Sequence, residues 1–526
     1  LVEIVLFLDL HQPRRVRKSF TRGKLVAERM EGLYFDDELN REILIRTAKK
    51  CYAPALKVLI ENAREGGFKC ALGASGIFLE QCERWDPDLL RLIQELLDTG
   101  ACEMVAGTYY RSLASQISGN ELREQIELHR KLIRELFRVE PSAVANTDFI
   151  YDNRIAKIFE GMGFKVALTE FPEAVMGWHS PCYLYKAEGA ELALLMRNSR
   201  LSDDIGFRFT DRSWPEWPLT PEKYAGWLSL MEGDLVFLAL DMATFGEHHP
   251  AGSGILDFLR HLPGEAAKHP GLEFATPTAA AGHFKAAGTA DIRETISWAD
   301  AEKDLSCWLA NAMQQYSFQT LLFLEPLARL AGPKFMRVWR LFSMSDHYLY
   351  MSTKGGESGA FHGYLSSFSS PVEAFMAITN AMTDFKYKLY DALGERAVLY
   401  KMIRGELPSA HAFRFFSGFA APLGLAARNL TELKDALETL GEDSLKFHLA
   451  RGDLSRWVRE VLGADSLSVE LDRLRALAQT KDVRADAIRA VDRAIADAEG
   501  RMGRLGADTT PSHRGPTAGG LPSGVR

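Results

Sequence analysis

No Cys-x-x-Cys pair occurs among the six cysteines of this 526-residue chain, and Cys51, Cys70, Cys82, Cys102, Cys182 and Cys307 follow no regular spacing. A zinc-ribbon or dithiol redox motif and a disulfide framework are therefore excluded, and reduced thiols in a cytoplasmic protein are expected. His-x-His and His-x3-His pairs are absent too, so no metal or other cofactor is expected. No apolar run reaches the ~20 residues that a membrane-spanning helix needs. The opening Leu1–Leu10 has neither a basic leader nor a small-residue cleavage site, and reads as a first strand. Neither charge dominates: 63 basic residues face 70 acidic ones, a net charge of -7. That balance provides no field for nucleic acid or for an anionic membrane, and a neutral partner fits better.

With 47% hydrophobic and 25% charged residues the chain has the composition of an ordinary globular protein. Its length predicts two or three domains. Over residues 1–290 short apolar runs alternate with helical periodicity, the pattern of βα units around a parallel sheet or barrel. Strands are expected at Ile4–Leu10, Lys69–Gly73, Cys102–Ala106, Ala143–Ala145, Val166–Thr169, Leu192–Met196 and Leu235–Asp241. Amphipathic helices are expected at Leu44–Gly66, Pro87–Gly100 and Asn120–Phe137. Residues 291–405 lose the strand pattern and read as a helical domain completing the cleft. Residues 406–505 read as a small mixed domain with strand-like Ala412–Phe416 and Ser444–Leu449 before a helical region, Ser466–Leu505. The tail, 506–526, is rich in Gly, Pro, Ser and Thr and reads as disordered.

In a barrel of this kind chemistry sits where the strands end. Asp9 and His11, two apart on the first strand, share a face just before Gln12-Pro13 breaks it. Glu80 follows the second strand, and Tyr109 and Tyr110 follow the third, where they either stack on a sugar or pack in the core. Asp148 follows a short strand; an Asp in that place is also a helix N-cap. Asp241 ends the strongest apolar run, and Asp148 with Asp241 are the two carboxylates that glycoside hydrolysis requires.

Six ordered stretches carry a resemblance: His11-Gln12-Pro13, Gly76–Gln81, Thr108-Tyr109-Tyr110, Asn146–Tyr151, Asp241–His248 and Ser297–Asp300, extending to Ser345–Tyr348. Over about residues 1–400 they resemble glycoside hydrolase family 57, nearest to its alpha-amylase and amylase-like members. The resemblance implies an incomplete (β/α)7 barrel followed by a helical domain, a retaining mechanism on an α-glucan or oligosaccharide, and no metal. It places the acid/base on Asp241 and the nucleophile on Asp148, where active members carry Glu. His11, Glu80, Trp298 and Asp346 resemble glucan-contacting positions, with Tyr109, Tyr110 and Phe245 as the aromatic complement. Two departures accompany the Asp: Ala243 stands where the amylase-like pattern has Glu, and Arg111 where a His commonly follows the tyrosines. Asp for Glu withdraws the carboxylate by on the order of 1 Å, a misplacement that costs roughly 100-fold, or ~2.7 kcal/mol. Two alternatives accompany the hydrolase reading. One is a catalytically impaired relative that binds glucan; the other is a metal-dependent sugar hydrolase or deacetylase using Asp9, His11, His248 and His249. Phe447–Trp457 resembles part of a small uncharacterised domain found beside such barrels, and the sequence sets no oligomeric state.

Overall fold

The computed structural model describes residues 2–19, 29–355, 366–405, 407–478 and 481–508. The expected disordered tail therefore lies almost wholly outside the described residues, apart from a last helix that runs to Asp508. The chain divides into two compact units, Leu1–Lys386 and Tyr387–Arg526, and the division falls inside the helix Pro371–Leu393. Among the described residues no helix is long and apolar enough to cross a membrane.

The first unit is built on ten strands: β1 (Val2–Leu10), β2 (Cys70–Ala74), β3 (Cys102–Val105), β4 (Ala143–Ala145), β5 (Val166–Glu170), β6 (Tyr185–Ala187), β7 (Ala193–Arg197), β8 (Leu235–Asp241), β9 (Leu272–Phe274) and β10 (Gly288–Ala290). Seven of these are parallel neighbours in the cyclic order β1-β2-β3-β4-β5-β7-β8 and back to β1. This is the (β/α)7 arrangement, and it has two thin seams. β3 meets β4 only through Ala106 and Val144, and β7 meets β8 only through Arg197 and Phe237. The three-residue strands β6, β9 and β10 lie outside the ring and have no apolar run that marks them in the sequence.

Both faces of the ring strands are covered, which is why they are apolar throughout rather than alternating. On β1 the side chains of Val5 and Phe7 point inward with Phe237, Ala239 and Ala71, while Ile4, Leu6 and Leu8 pack outward under the helices. The period of two then carries Asp9 inward on β1 and Asp241 inward on β8, where the two are register partners. Room for Asp9 comes from Gly73, its partner on β2. A Cβ there would lie 2.7 Å from the Phe7 ring and 2.9 Å from the Asp9 carboxylate.

The helix expected over Leu44–Gly66 is interrupted: Asp37–Thr47 and Ala53–Glu65 are α-helical, and Ala48–Tyr52 between them is a π-helical turn. Such turns recur at functional sites. This one brings the Cys51 thiol 3.0 Å from the Met242 carbonyl, directly after Asp241, and seats Gly246 so closely that a Cβ would lie 2.5 Å from the Lys50 carbonyl.

In the second unit the hairpin Phe413–Gly418 and Ala421–Ala427 packs with helices around Phe415, Leu433, Leu445, Leu449 and Leu471. Ser444–Leu449, expected as a strand, lies in the helix Glu442–Arg451. The alternating Leu445, Phe447 and Leu449 also satisfy helical spacing, since Leu445 and Leu449 share a face. Acidic residues in the first turn, Arg451 in the last and a left-handed Gly452 cap decide for helix.

Two buried histidines make the fold acid-sensitive. His129 accepts the Gly107 N–H at 2.9 Å and donates to the Ala74 carbonyl at 2.7 Å, and burial holds its pKa down at about 4. Burial likewise holds His347 at about 4. A lowered folded-state pKa gives stability that is whole above the unfolded value of 6.5 and lost as pH falls toward 4. Each histidine accounts for on the order of 3 kcal/mol. Urea denaturation at pH 7 and pH 4.5 should show the loss, and His129→Gln should reduce it.

Candidate active site

Asp148 sits in a backbone conformation that a side-chain-bearing residue rarely takes. Its φ is 49° and that of Phe149 is 53°, left-handed values that cost on the order of 1–3 kcal/mol each. Neighbouring groups hold the turn. Asn146 accepts from Thr147 N and donates to the Ile150 carbonyl, both at 2.9 Å, and Thr147 Oγ1 donates to the Ser112 carbonyl at 2.8 Å. Trp298 N donates to the Asp148 carbonyl at 3.0 Å. Phe149 is buried with ring centroids 4.6 Å from Trp298, 5.8 Å from Phe7 and 5.9 Å from Phe237. Asp148 is therefore not the cap of the following helix, Asn153–Gly161; Asp152 fills that role. Its carboxylate is directed instead to Arg111 and Trp298. Oδ1 accepts from Arg111 Nη2 at 2.6 Å and from Trp298 Nε1 at 3.0 Å, and Oδ2 accepts from Ser345 Oγ at 3.4 Å.

Arg111, itself at φ 46°, turns the other arm of its guanidinium to Asp9. Burial works against the cation, yet Asp148 and Asp9 hold its pKa well above the ordinary value. Burial also pushes the Asp9 carboxyl up, with Arg111 pulling it back. On the far strand Asp241 Oδ1 accepts from Ala243 N at 2.9 Å, while its second oxygen has no hydrogen bond among the described residues. His11 bridges Ser75 Oγ at 2.6 Å and Asp346 Oδ2 at 3.0 Å. Although burial opposes it, His11 and then Arg111 hold Asp346 well below the usual carboxylate range.

His11, Asp148, Asp241, Ala243, Trp298 and Asp346 line one cavity of about 470 Å³. Beneath it a chamber of about 40 Å³ is lined by Asp9, Arg111, Asp148 and Trp298. Five of the expected site residues are thus brought together, and four are not. Glu80 accepts from Tyr109 and pairs with Arg337 at 2.8 and 2.9 Å, facing a separate surface hollow with Arg84 and Glu31. Tyr109 and Tyr110 are buried and pack on each other at 4.9 Å. Phe245 is 1% exposed and belongs to the outer core. For the three aromatics burial of a large ring outweighed exposure at the strand end, and for Glu80 the pairing with Arg337 decides.

The sequence reading did not find Arg197. Its guanidinium lies 5.4 Å from the Trp298 ring and pairs with Glu170 at 3.3 Å and Asp203 at 2.5 Å. Lys303 pairs with the same Glu170 at 2.8 Å. The signal was present: β5 ends in Glu170 and β7 in Arg197, two opposite charges terminating adjacent apolar strands. The four residues considered for a metal do not converge. His248 borders the cavity, but His249 is buried beneath it, with Thr210 Oγ1 at 2.9 Å and the Ile205 and Gly206 carbonyls at 3.0 Å.

An inward pair of aspartates at the ends of β4 and β8, over a cavity walled by a tryptophan, is a two-carboxylate site on a (β/α)7 scaffold. The sequence pattern of Glycosyl hydrolase family 57 matches residues 5–293. A Methanocaldococcus jannaschii protein named "Putative alpha-amylase" is 37% identical over 405 residues, covering 74% of this chain and 86% of its own length. The GH57-type branching enzyme of Pyrococcus horikoshii superposes with TM-score 0.55 at 14% identity, over 77% of this chain and 92% of that one. The 4-alpha-glucanotransferase of Thermococcus litoralis superposes with TM-score 0.52 at 15% identity, over 74% of this chain and 60% of that one. The chain belongs to glycosyl hydrolase family 57.

Because Phe149 holds the left-handed turn by packing, Phe149→Ala should cost about 3–5 kcal/mol in chemical denaturation. A loss below about 1 kcal/mol would assign the turn to its hydrogen bonds alone.

Proposed function

We propose that this chain is a retaining glycoside hydrolase acting on α-glucan, with Asp148 as nucleophile and Asp241 as acid/base. The observation that carries the reading is that both carboxylates open on the same cavity, beside Trp298 and the His11–Asp346 pair. Asp241 keeps an oxygen without a hydrogen bond among the described residues, which leaves it for the glycosidic oxygen. In the first step Asp148 Oδ2 attacks the anomeric carbon, and the bond to the leaving oxygen breaks as Asp241 delivers its proton there. In the second step Asp241, now a carboxylate, takes a proton from water, and that water displaces Asp148 from the sugar. Replacing the water by a sugar hydroxyl gives transfer in place of hydrolysis. The names of the relatives support α-glucan as the substrate class. The helical region after residue 290 completes the cleft through Trp298, Ser345 and Asp346. The six unpaired cysteines fit a cytoplasmic protein.

One observation favours a second reading, a glucan-binding protein with little turnover. Asp148 Oδ1 already accepts from Arg111 and Trp298, on a side chain one carbon shorter than Glu. Maltooligosaccharide turnover separates the two. The hydrolase reading expects Asp241→Asn and Asp148→Ala to lose at least about 100-fold in kcat and the first product to be the α-anomer by NMR. Wild-type turnover no higher than that of the variants, with binding intact, would establish the second reading. A β-anomer would instead make Asp148 a general base in an inverting reaction. Asp148→Glu should raise kcat by up to roughly 100-fold if reach is limiting.

A further inference from the structure

The Arg111 guanidinium is forked between two carboxylates of different standing. Asp148 borders the cavity, whereas Asp9 does not and lies in the chamber below. Asp9 therefore lies outside the cavity that Asp148 and Asp241 share. It occupies an inward position on β1 opposite Asp241, in space that Gly73 leaves open. A largely desolvated carboxylate beside two others is a costly arrangement, and structural pairing of Arg111 does not require it, because Asp148 alone supplies a partner.

We propose that Asp9 is a positioning residue that acts through Arg111, sharing the guanidinium so that the negative charge of Asp148 is left for the sugar instead of being neutralised by Arg111. This rests on the reading of Asp148 given above. Arg111 with Asp148 alone is a neutral pair, its positive charge cancelling the one that must face the developing oxocarbenium ion. With Asp9 ionised the three groups sum to -1. The Arg111–Asp9 contact is then a neutral unit that fixes Asp148 in place without quenching it. The charged and titratable groups acting on Asp148 are Asp9 from β1, Arg111 and the Cys307 thiol, while His11, Asp241 from β8 and Asp346 surround the Asp9–Arg111 pair. Of these only Arg111 is bonded to it.

Asp9→Asn keeps an acceptor for Arg111 and removes the charge, so it tests the charge rather than the hydrogen bond. On maltooligosaccharides kcat should fall at least tenfold with KM within twofold, and the acid limb of the kcat profile should move to lower pH. In an Arg111→Gln background, where no cation remains to be shared, the same substitution should change kcat less than twofold. Equal losses in both backgrounds, or an acid limb that does not move, overturn the proposal. Selective ¹³C-aspartate NMR, assigned with Asp148→Asn, reads the same point without turnover. The Asp148 carboxyl midpoint should fall by about one unit in Asp9→Asn, and an unchanged midpoint overturns the proposal. If the wild type turns over no glucan, the hydrolase reading fails, and the NMR midpoint alone decides whether Asp9 governs the charge of Asp148.

Discussion

A guanidinium lying between two aspartates is the constraint from which the rest of the site follows. Arg111 ties the floor of the ring at Asp9 to the turn carrying Asp148, and its side chain is mostly withdrawn from solvent, so loss of the guanidinium would leave two carboxylates facing one another in a poorly solvated place. Trp298 closes the same corner from the helical side through its indole N–H, with Phe149 packed beneath its ring. Charge, hydrogen bond and packing converge on one short turn. The turn can therefore hold a conformation that its residues would not choose alone.

That strain is concentrated around the cavity. Among the described non-glycine residues six have positive φ, and Arg111, Asp148, Phe149 and Lys303 are four of them. Arg111 and Asp148 line the cavity, Phe149 supports Asp148, and Lys303 pairs with the Glu170 that holds Arg197 under Trp298. The surrounding core contributes the energy that keeps these residues in place. The arrangement fits a preorganised site, in which groups are set before a substrate arrives.

The strands were legible where an apolar run ended at a polar residue. Ala143–Ala145 and Leu235–Asp241 are found at the residues read from the sequence, because burial on both faces leaves no ambiguity of period. Ser444–Leu449 was misread because a run of six satisfies both periods, and only the charges and glycine at its ends resolve it. In the site, polar residues at strand ends were located by alternation, as with Asp241 and His11. Aromatics were not: Tyr109, Tyr110 and Phe245 follow strands as Trp298 follows β10, and only packing decides which ring meets the cavity. The separation of Glu80 from the cleft depends on Arg337, more than 250 residues away along the chain. No local pattern contains that pairing.

The thin seam between β7 and β8 gives Arg197 a second office. Where the ladder offers a single backbone pairing, the gap is stitched by side chains: Arg197 Nε donates to the Ala239 carbonyl at 3.1 Å, and Ser202 Oγ accepts from Ala239 N at 3.2 Å. The same guanidinium lies against the Trp298 ring that bonds Asp148. Closure of the scaffold and aim of the carboxylate thus share one residue. One of the barrel's two thin seams is therefore spanned by the side chain that also supports the ring bonded to Asp148, so the scaffold's joint and the cavity wall stand or fall together.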